Sequence, residues 1–414
     1  MKYKLSLLLA IFMLNFGYSQ LKYEWGAAFD YDVKDEKDPQ IVLKDNYNHY
    51  LLTVVDVIAQ HQMIIRKFDQ KNQLVDTYKY DFPKLDASTL YNYLGFTEVK
   101  GKVIVFTQIY SNKAKKSEIY KLEFDKATGK FTSTPITSVA IASAYKSGTV
   151  KFSKSLNGSY IGIVHIMHRT KGEPEKNMVL TLDATTNVAW QKEASFTNDH
   201  TTVNTAVTNS GKIILLRLNL SFKKANNNNY VVIETADKEE EKTFETPIFL
   251  NDLTVLSIGT QDYLLAFNSK NRGDYNNLLF YDLQLGKTLQ NTKISEFSSL
   301  KDLKDVIIKN VFMQNNEIHL FTEAKTEVVV PVANRQTSGG FGSSFPDPVF
   351  QFGPAQLFVL DMDGTLKTVK KLNVPTPKGL LYSSFGVVNI KGNYYINTGN
   401  FNGFYALNSP DFEK

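Results

Sequence analysis

The 414-residue chain has no cysteine. No disulfide can staple it, and no thiol is present to carry a lipid anchor. Beyond the first twenty residues, no apolar run approaches the roughly 20 residues a helix needs to cross a bilayer, so no transmembrane segment is expected. Neither sign of charge dominates, with 47 basic against 42 acidic residues, and a nucleic-acid partner is therefore not expected. Catalytic signatures are also lacking. There is no phosphate-binding glycine loop, no nucleophile elbow, and no serine, histidine and aspartate in a recognisable setting. No catalytic residue, metal ligand or cofactor is assigned from the sequence.

What is present starts at the N-terminus. Lys2 and Lys4 precede an apolar run from Leu5 to Phe16, and Gly17-Tyr18-Ser19 forms a small-x-small cleavage site. This pattern predicts a signal peptide over residues 1–19 with cleavage before Gln20. The mature chain would be exported without disulfides, so a large apolar core must hold it together, and 43% apolar content suffices for one.

The strongest internal signal is a repeat. A short polar turn followed by an alternating apolar strand recurs at Asn48-His49-Tyr50, Gly101-Lys102-Val103, Gly158-Ser159-Tyr160, Gly211-Lys212-Ile213, Gln261-Asp262-Tyr263, Asn316-Glu317-Ile318 and Gly392-Asn393-Tyr394. The spacing is about 50 to 57 residues, stretched to about 76 before the last, which is the length of a four-stranded blade. After each of the first six, an apolar strand ends in an acidic turn, at Asp69, Asp125, Asp183, Asp237, Asp282 and Asp361. The expected fold is an all-β, seven-bladed β-propeller of four-stranded antiparallel blades filling residues 20–414 as one domain. A β-sandwich or two smaller β domains is the alternative. The seventh unit ends before an outer strand can form, while the segment Tyr23–Phe29 has no blade of its own. That N-terminal strand is expected to complete the last blade and close the ring, removing the open sheet edges. The chain resembles β-propellers as an architecture. It has neither a Trp-Asp pair per blade nor an aspartate-box repeat, so no specific propeller family follows.

Three motifs suggest chemistry and fail on context. Leu360-Asp361-Met362-Asp363-Gly364-Thr365 resembles the nucleophile motif of haloacid-dehalogenase-type phosphatases. It falls in register with the other acidic turns, and Asp-Gly is a hairpin turn in its own right. His165 and His168 lie three apart, which on a strand points them to opposite faces. Arg272-Gly273-Asp274 is an integrin-type tripeptide in an expected hairpin loop.

Blade geometry sorts the charges. The connections between second and third strands carry Lys113, Lys115 and Lys116, Arg169, Lys171 and Lys176, Lys223 and Lys224, Lys270 and Arg272, and Lys325 with Arg335. The acidic turns fall at the opposite ends. An insertion at about 328–356 is rich in glycine, serine and proline and includes Phe341, Phe345, Phe350 and Phe352, and such loops usually carry function. These observations favour a non-catalytic binding or scaffold propeller. Its partner would be an envelope or outer-membrane protein or an anionic glycan, held by Lys113, Lys115, Lys116, Arg169, Lys171, Lys223, Lys224, Arg272, Arg335 and the four phenylalanines. The competing class is a propeller-type glycan hydrolase or lyase, which needs converging carboxylates. In its abundance of Asn, Lys, Tyr and Phe and its export signal ending in Ser-Gln, the chain resembles envelope proteins of Bacteroidota-type bacteria. That resemblance implies a periplasmic or outer-membrane-associated, or extracellular, location.

Overall fold

The computed structural model of the protein describes residues 36–57, 60–170, 172–197, 199–219, 229–271, 275–294, 305–328, 349–372, 385–390, 392–398 and 404–407. Contacts divide the chain into two compact units, Met1–Ala144 and Tyr145–Lys414.

The first unit holds two four-stranded sheets. One contains β1 (Glu36–Lys44), β2 (Asn48–Val57), β3 (Gln60–Asp69) and β4 (Leu74–Asp81); the other contains β5 (Thr89–Val99), β6 (Lys102–Ser111), β7 (Lys116–Asp125) and β8 (Lys130–Ala140). The second unit begins with β9 (Thr149–Lys154), β10 (Tyr160–Ile166), β11 (Glu175–Asp183) and β12 (Val188–Phe196), followed by β13 (Thr201–Val207), β14 (Ile213–Leu218), β15 (Tyr230–Glu234) and β16 (Glu239–Thr243). Next come β17 (Phe249–Ile258), β18 (Gln261–Ser269), β19 (Asn277–Asp282) and β20 (Lys287–Lys293), then β21 (Asp305–Gln314), β22 (Glu317–Val328), β23 (Val349–Asp361) and β24 (Leu366–Leu372). Three strands, β25 (Phe385–Ile390), β26 (Asn393–Thr398) and β27 (Phe404–Leu407), make the last sheet among the described residues.

Among the described residues every sheet is a simple antiparallel meander in chain order, giving six four-stranded sheets and one of three strands. The all-β expectation holds, and each of the seven repeated segments opens the second strand of one sheet. Burial explains why those segments were the visible ones. β14 is buried at all six positions and β10 at all but its first, as for strands covered on both faces. The fourth strands alternate instead, as in the exposed-to-half-buried pattern of β16.

The core lies between consecutive sheets. Val103, Val105, Leu122 and Phe124 of the second sheet pack with Tyr50, Leu52, Met63 and Ile65 of the first. In the second unit, Leu216 and Val231 meet Leu264 and Leu279, and Phe267 and Phe280 meet Leu320 and Phe358. Each fully buried phenylalanine contributes about 1.5–3 kcal/mol, which offsets the missing disulfides.

In the second unit the first strands of neighbouring sheets run in the same direction. Near their starts, the Asn204 carboxamide donates to Asp252 Oδ1 at 3.5 Å and the Ile308 N–H donates to Asp252 Oδ2 at 2.7 Å. Near their ends, the Asn157 N–H donates to Asn209 Oδ1 at 3.1 Å and the Asn209 N–H to Ser257 Oγ at 3.2 Å. The same ends of these sheets therefore share one side of the unit.

Two details correct the sequence reading. Asp69, Asp125, Asp183, Asp282 and Asp361 each end a third strand, but Asp237 lies inside its turn, and buried Glu234 occupies the strand-ending position. The reason is that Glu234 is held by Lys192 from the preceding sheet, at 2.5 Å, so the acidic group turns inward instead of organising the hairpin. Second, the insertion is shorter than 328–356. Val328 pairs with Val349, Glu327 with Phe350 and Lys325 with Phe352, so Phe350 and Phe352 belong to β23. Aromatic and β-branched residues at 349–352 extend the ladder despite the glycine and proline that follow. The N-terminal segment Tyr23–Phe29 and the signal peptide lie outside the described residues.

Candidate functional site

The two ends of the sheets are built on different rules. Third and fourth strands are joined by four residues in all six complete sheets, at 70–73, 126–129, 184–187, 235–238, 283–286 and 362–365. Second and third strands are joined by segments that range from 58–59 through 112–115, 167–174, 219–229 and 270–276 to 329–348. In a meander the connections between second and third strands lie at the end opposite the third-to-fourth turns. One end is uniform and the other varied, and varied loops on a rigid scaffold are where binding residues concentrate.

The uniform end is organised locally by its aspartates. Asp69 Oδ1 accepts the N–H groups of Lys71 and Gln73, both at 2.8 Å, and Asp183 Oδ1 accepts those of Thr185 at 2.8 Å and Asn187 at 3.0 Å. These are Asx turns, in which the side chain mimics a backbone acceptor. The phosphatase-like motif is one more. The Gly364 N–H donates to the Asp361 carbonyl at 2.9 Å, the Thr365 N–H donates to Asp363 Oδ1 at 2.9 Å, and Lys367 pairs with Asp361 at 2.7 Å. Gly364 has φ +85°, and a Cβ there would lie 2.3 Å from the Phe280 ring, so only glycine fits.

The varied end receives the predicted basic residues, with mixed commitments. Lys113 and Lys115 lie in the connection 112–115 and Lys116 begins β7. Lys115 Nζ donates to the Ala142 carbonyl at 2.8 Å, Lys116 pairs with Glu118 at 2.8 Å, and Lys113 is exposed. In the second unit, Arg169 folds onto its own connection, donating through Nε to the Glu173 carbonyl at 2.8 Å. The fold thus gathers Lys113, Lys115 and Lys116 on one tip and places Arg169 in the other unit. Lys171, Lys223, Lys224, Arg272, Arg335, Phe341 and Phe345, with Arg272-Gly273-Asp274, lie outside the described residues, and the side chains of Phe350 and Phe352 do as well.

The sequence reading missed two buried clusters at the base of the varied end. In the first, Arg217 at the end of β14 reaches Glu175 at the start of β11, Thr202 Oγ1 at 2.7 Å, Tyr230 OH at 3.1 Å and the His200 carbonyl at 2.8 Å. Thr202 Oγ1 donates to Glu175 at 2.6 Å, and the Arg217 guanidinium lies 3.8 Å above the Phe196 ring. Both charges are essentially without solvent contact, so the pair pins two neighbouring sheets. Its signal was available, because an arginine inside Ile213-Ile214-Leu215-Leu216-Arg217-Leu218 has to find a buried partner.

The second cluster sits on the first two strands of the sheet β21–β24. Lys309 Nζ of β21 lies 3.7 Å from Glu323 Oε2 of β22, and Glu323 is 1% exposed. Burial pushes the Glu323 carboxyl up to about 7, against the pull of Lys309. Burial likewise raises Asp252, which the Ile308 N–H and the Asn204 carboxamide only partly offset. No spacing in the sequence points to the Asp252 contacts, because Asn204, Asp252 and Ile308 come from three sheets.

His165 is buried in β10 with Nε2 at 2.5 Å from the Ser147 carbonyl oxygen, and His168 lies beyond the strand end. Among the described residues no group of three or more His, Cys, Asp or Glu is placed to hold an ion.

No protein-family model matches the chain. No curated protein matches it either. Among solved structures, the chain is similar to the β-propeller domain of the Trilobed protease from Pyrococcus furiosus, at 13% identity, covering 92% of this chain and 98% of that one, with a TM-score of 0.39. It is also similar to the cobalt-substituted Synechocystis ACO, at 12% identity, covering 62% of this chain and 61% of that one, with a TM-score of 0.38.

Proposed function

We propose that this chain is an exported, non-catalytic propeller of the bacterial cell envelope that binds a protein or anionic glycan through the varied ends of its sheets. Its seven sheets form one ring, closed by the N-terminal strand as the fourth strand beside β27. The observation that carries this reading is the contrast between uniform four-residue turns and connections that range from 58–59 to 329–348. A scaffold that repeats its frame and varies one end presents that end to a partner. In the second unit, where neighbouring sheets point the same way, Arg169 and Lys270 come to one side and Asp183, Asp282 and Asp361 to the other. This supports an anion-attracting face.

The test is deletion of Gly339–Pro348, cut to spare β23, followed by capture of partners from envelope extracts with the intact chain and the deletion. Loss of a specific partner with unchanged melting is expected. Undiminished recovery would remove the insertion from the binding face.

A second reading has one observation in its favour. Glu323, with its carboxyl raised to about 7, has the protonation behaviour of a general acid in a glycan hydrolase or lyase. New reducing or unsaturated ends released from an envelope glycan, abolished by Glu323→Gln, would establish it. An unchanged glycan profile would leave Glu323 a structural group.

A further inference from the structure

Three neighbouring strands of the sheet β17–β20 end side by side at its varied end. β18 ends in Ser269, β19 begins at Asn277 and β20 ends in Lys293, with Asn277 paired directly opposite Lys293. The Ile294 N–H donates to the Asn276 carbonyl at 2.8 Å, which ties the end of the fourth strand to the start of the third. Between them is a hollow of about 450 Å3 lined by Ser269, Lys270, Asn271, Asn276, Asn277 and Lys293. That size is in the range of small-ligand sites, roughly 300–1,000 Å3, but such sites are usually walled by apolar and aromatic side chains. Among the described residues this wall has neither.

The lining decides the ligand class. Three carboxamides and a hydroxyl offer both donors and acceptors to sugar hydroxyls, and two exposed ammonium groups offer charge-assisted hydrogen bonds to an acid. Among the described residues no carboxylate shares the lining. An acidic peptide would want aromatic or apolar anchor pockets, which the described lining does not provide. A flat anionic surface would not need a concave set of amides. We propose that this hollow is a subsite for a carboxylate-bearing sugar, with Lys270 and Lys293 on the carboxylate and Asn271, Asn276 and Asn277 on the ring hydroxyls. The proposal rests on the reading of the varied end as the binding face and gives that face its ligand chemistry.

Titration calorimetry of the full mature chain with trigalacturonate, and with neutral galactotriose as the matched probe, tests it. Wild type is expected to bind the acidic trimer and not the neutral one, with affinity falling as salt rises. The double variant Lys270→Ala/Lys293→Ala is expected to weaken binding at least about tenfold, the loss of one good charged contact. Asn277→Ala, which leaves both charges in place, is expected to weaken it less. Lys287→Ala removes a charge from the opposite end of the same sheet and should bind as wild type does.

Equal binding of the neutral trimer overturns the proposal, and so does absence of acidic-trimer binding at millimolar concentration. If the double variant binds like wild type while Lys113→Ala/Lys115→Ala loses binding, the hollow is wrong and the varied end still stands. If Lys287→Ala alone loses binding, the reading of the varied end itself fails.

Discussion

The two ends of the sheets hold themselves together at different ranges. At the uniform end, Asp69 and Asp183 bind N–H groups two and four residues away, so each turn is complete within its own segment. At the varied end, Arg217 reaches Glu175 across 42 residues and Lys309 reaches Glu323 across a strand pair. Local closure lets the uniform turns repeat with little change. Long-range pinning below the connections leaves their length free to vary without loosening the frame.

The largest effect should come from breaking the pin. Arg217→Met leaves Glu175 buried without its cation and should cost about 3–5 kcal/mol, read as a shift in the denaturant midpoint. Replacing both members with apolar residues should recover much of that loss. At the uniform end, Gly364→Val forces a branched side chain into φ +85° and against Phe280, with an expected loss of about 2–4 kcal/mol by the same measurement.

The Glu323 row gives a pH-dependent prediction. Its carboxyl is raised in the folded chain from about 4.5 to about 7, so the protonated form is the one that folding favours. Its stabilising contribution is complete below about pH 4.5 and is lost as pH rises through about 7. Melting curves from pH 5 to 8 should therefore show a falling midpoint in wild type and a flatter profile in Glu323→Gln. A midpoint that rises over that window in wild type through this residue would contradict the burial account.

Smaller still, Asp183→Ala removes at least three side-chain hydrogen bonds from an exposed turn and should cost about 0.5–1.5 kcal/mol. Lys113→Ala/Lys115→Ala at the varied tip should change stability by no more than about 0.5 kcal/mol, apart from the Lys115 contact to Ala142, while reducing affinity for anionic ligands.

This difference in range also explains what the sequence disclosed. The second strands announced themselves because β10, β14 and β18 are covered on both faces and read as near-continuous apolar runs. The turns announced themselves because Asx geometry is written within five consecutive residues. Asp237 falls in its turn as expected but not at the strand end, a place taken by the inward-facing Glu234, which Lys192 from another sheet holds. Arg217 was legible as an anomaly but its partner was not, since Glu175 lies in a separate strand with no fixed spacing to it. The Asn204, Asp252 and Ile308 contacts were invisible, because first strands from different sheets meet only after the sheets have stacked. Phe350 and Phe352 were assigned to a loop because glycine and proline surround them, although pairing with β22 extends past those residues.

Hydrogen exchange of the full chain, with and without saturating trigalacturonate, tests most directly whether the varied end is the binding end. Protection is expected at 270–276, with 70–73, 184–187 and 283–286 unchanged. Protection confined to the four-residue turns would contradict the account.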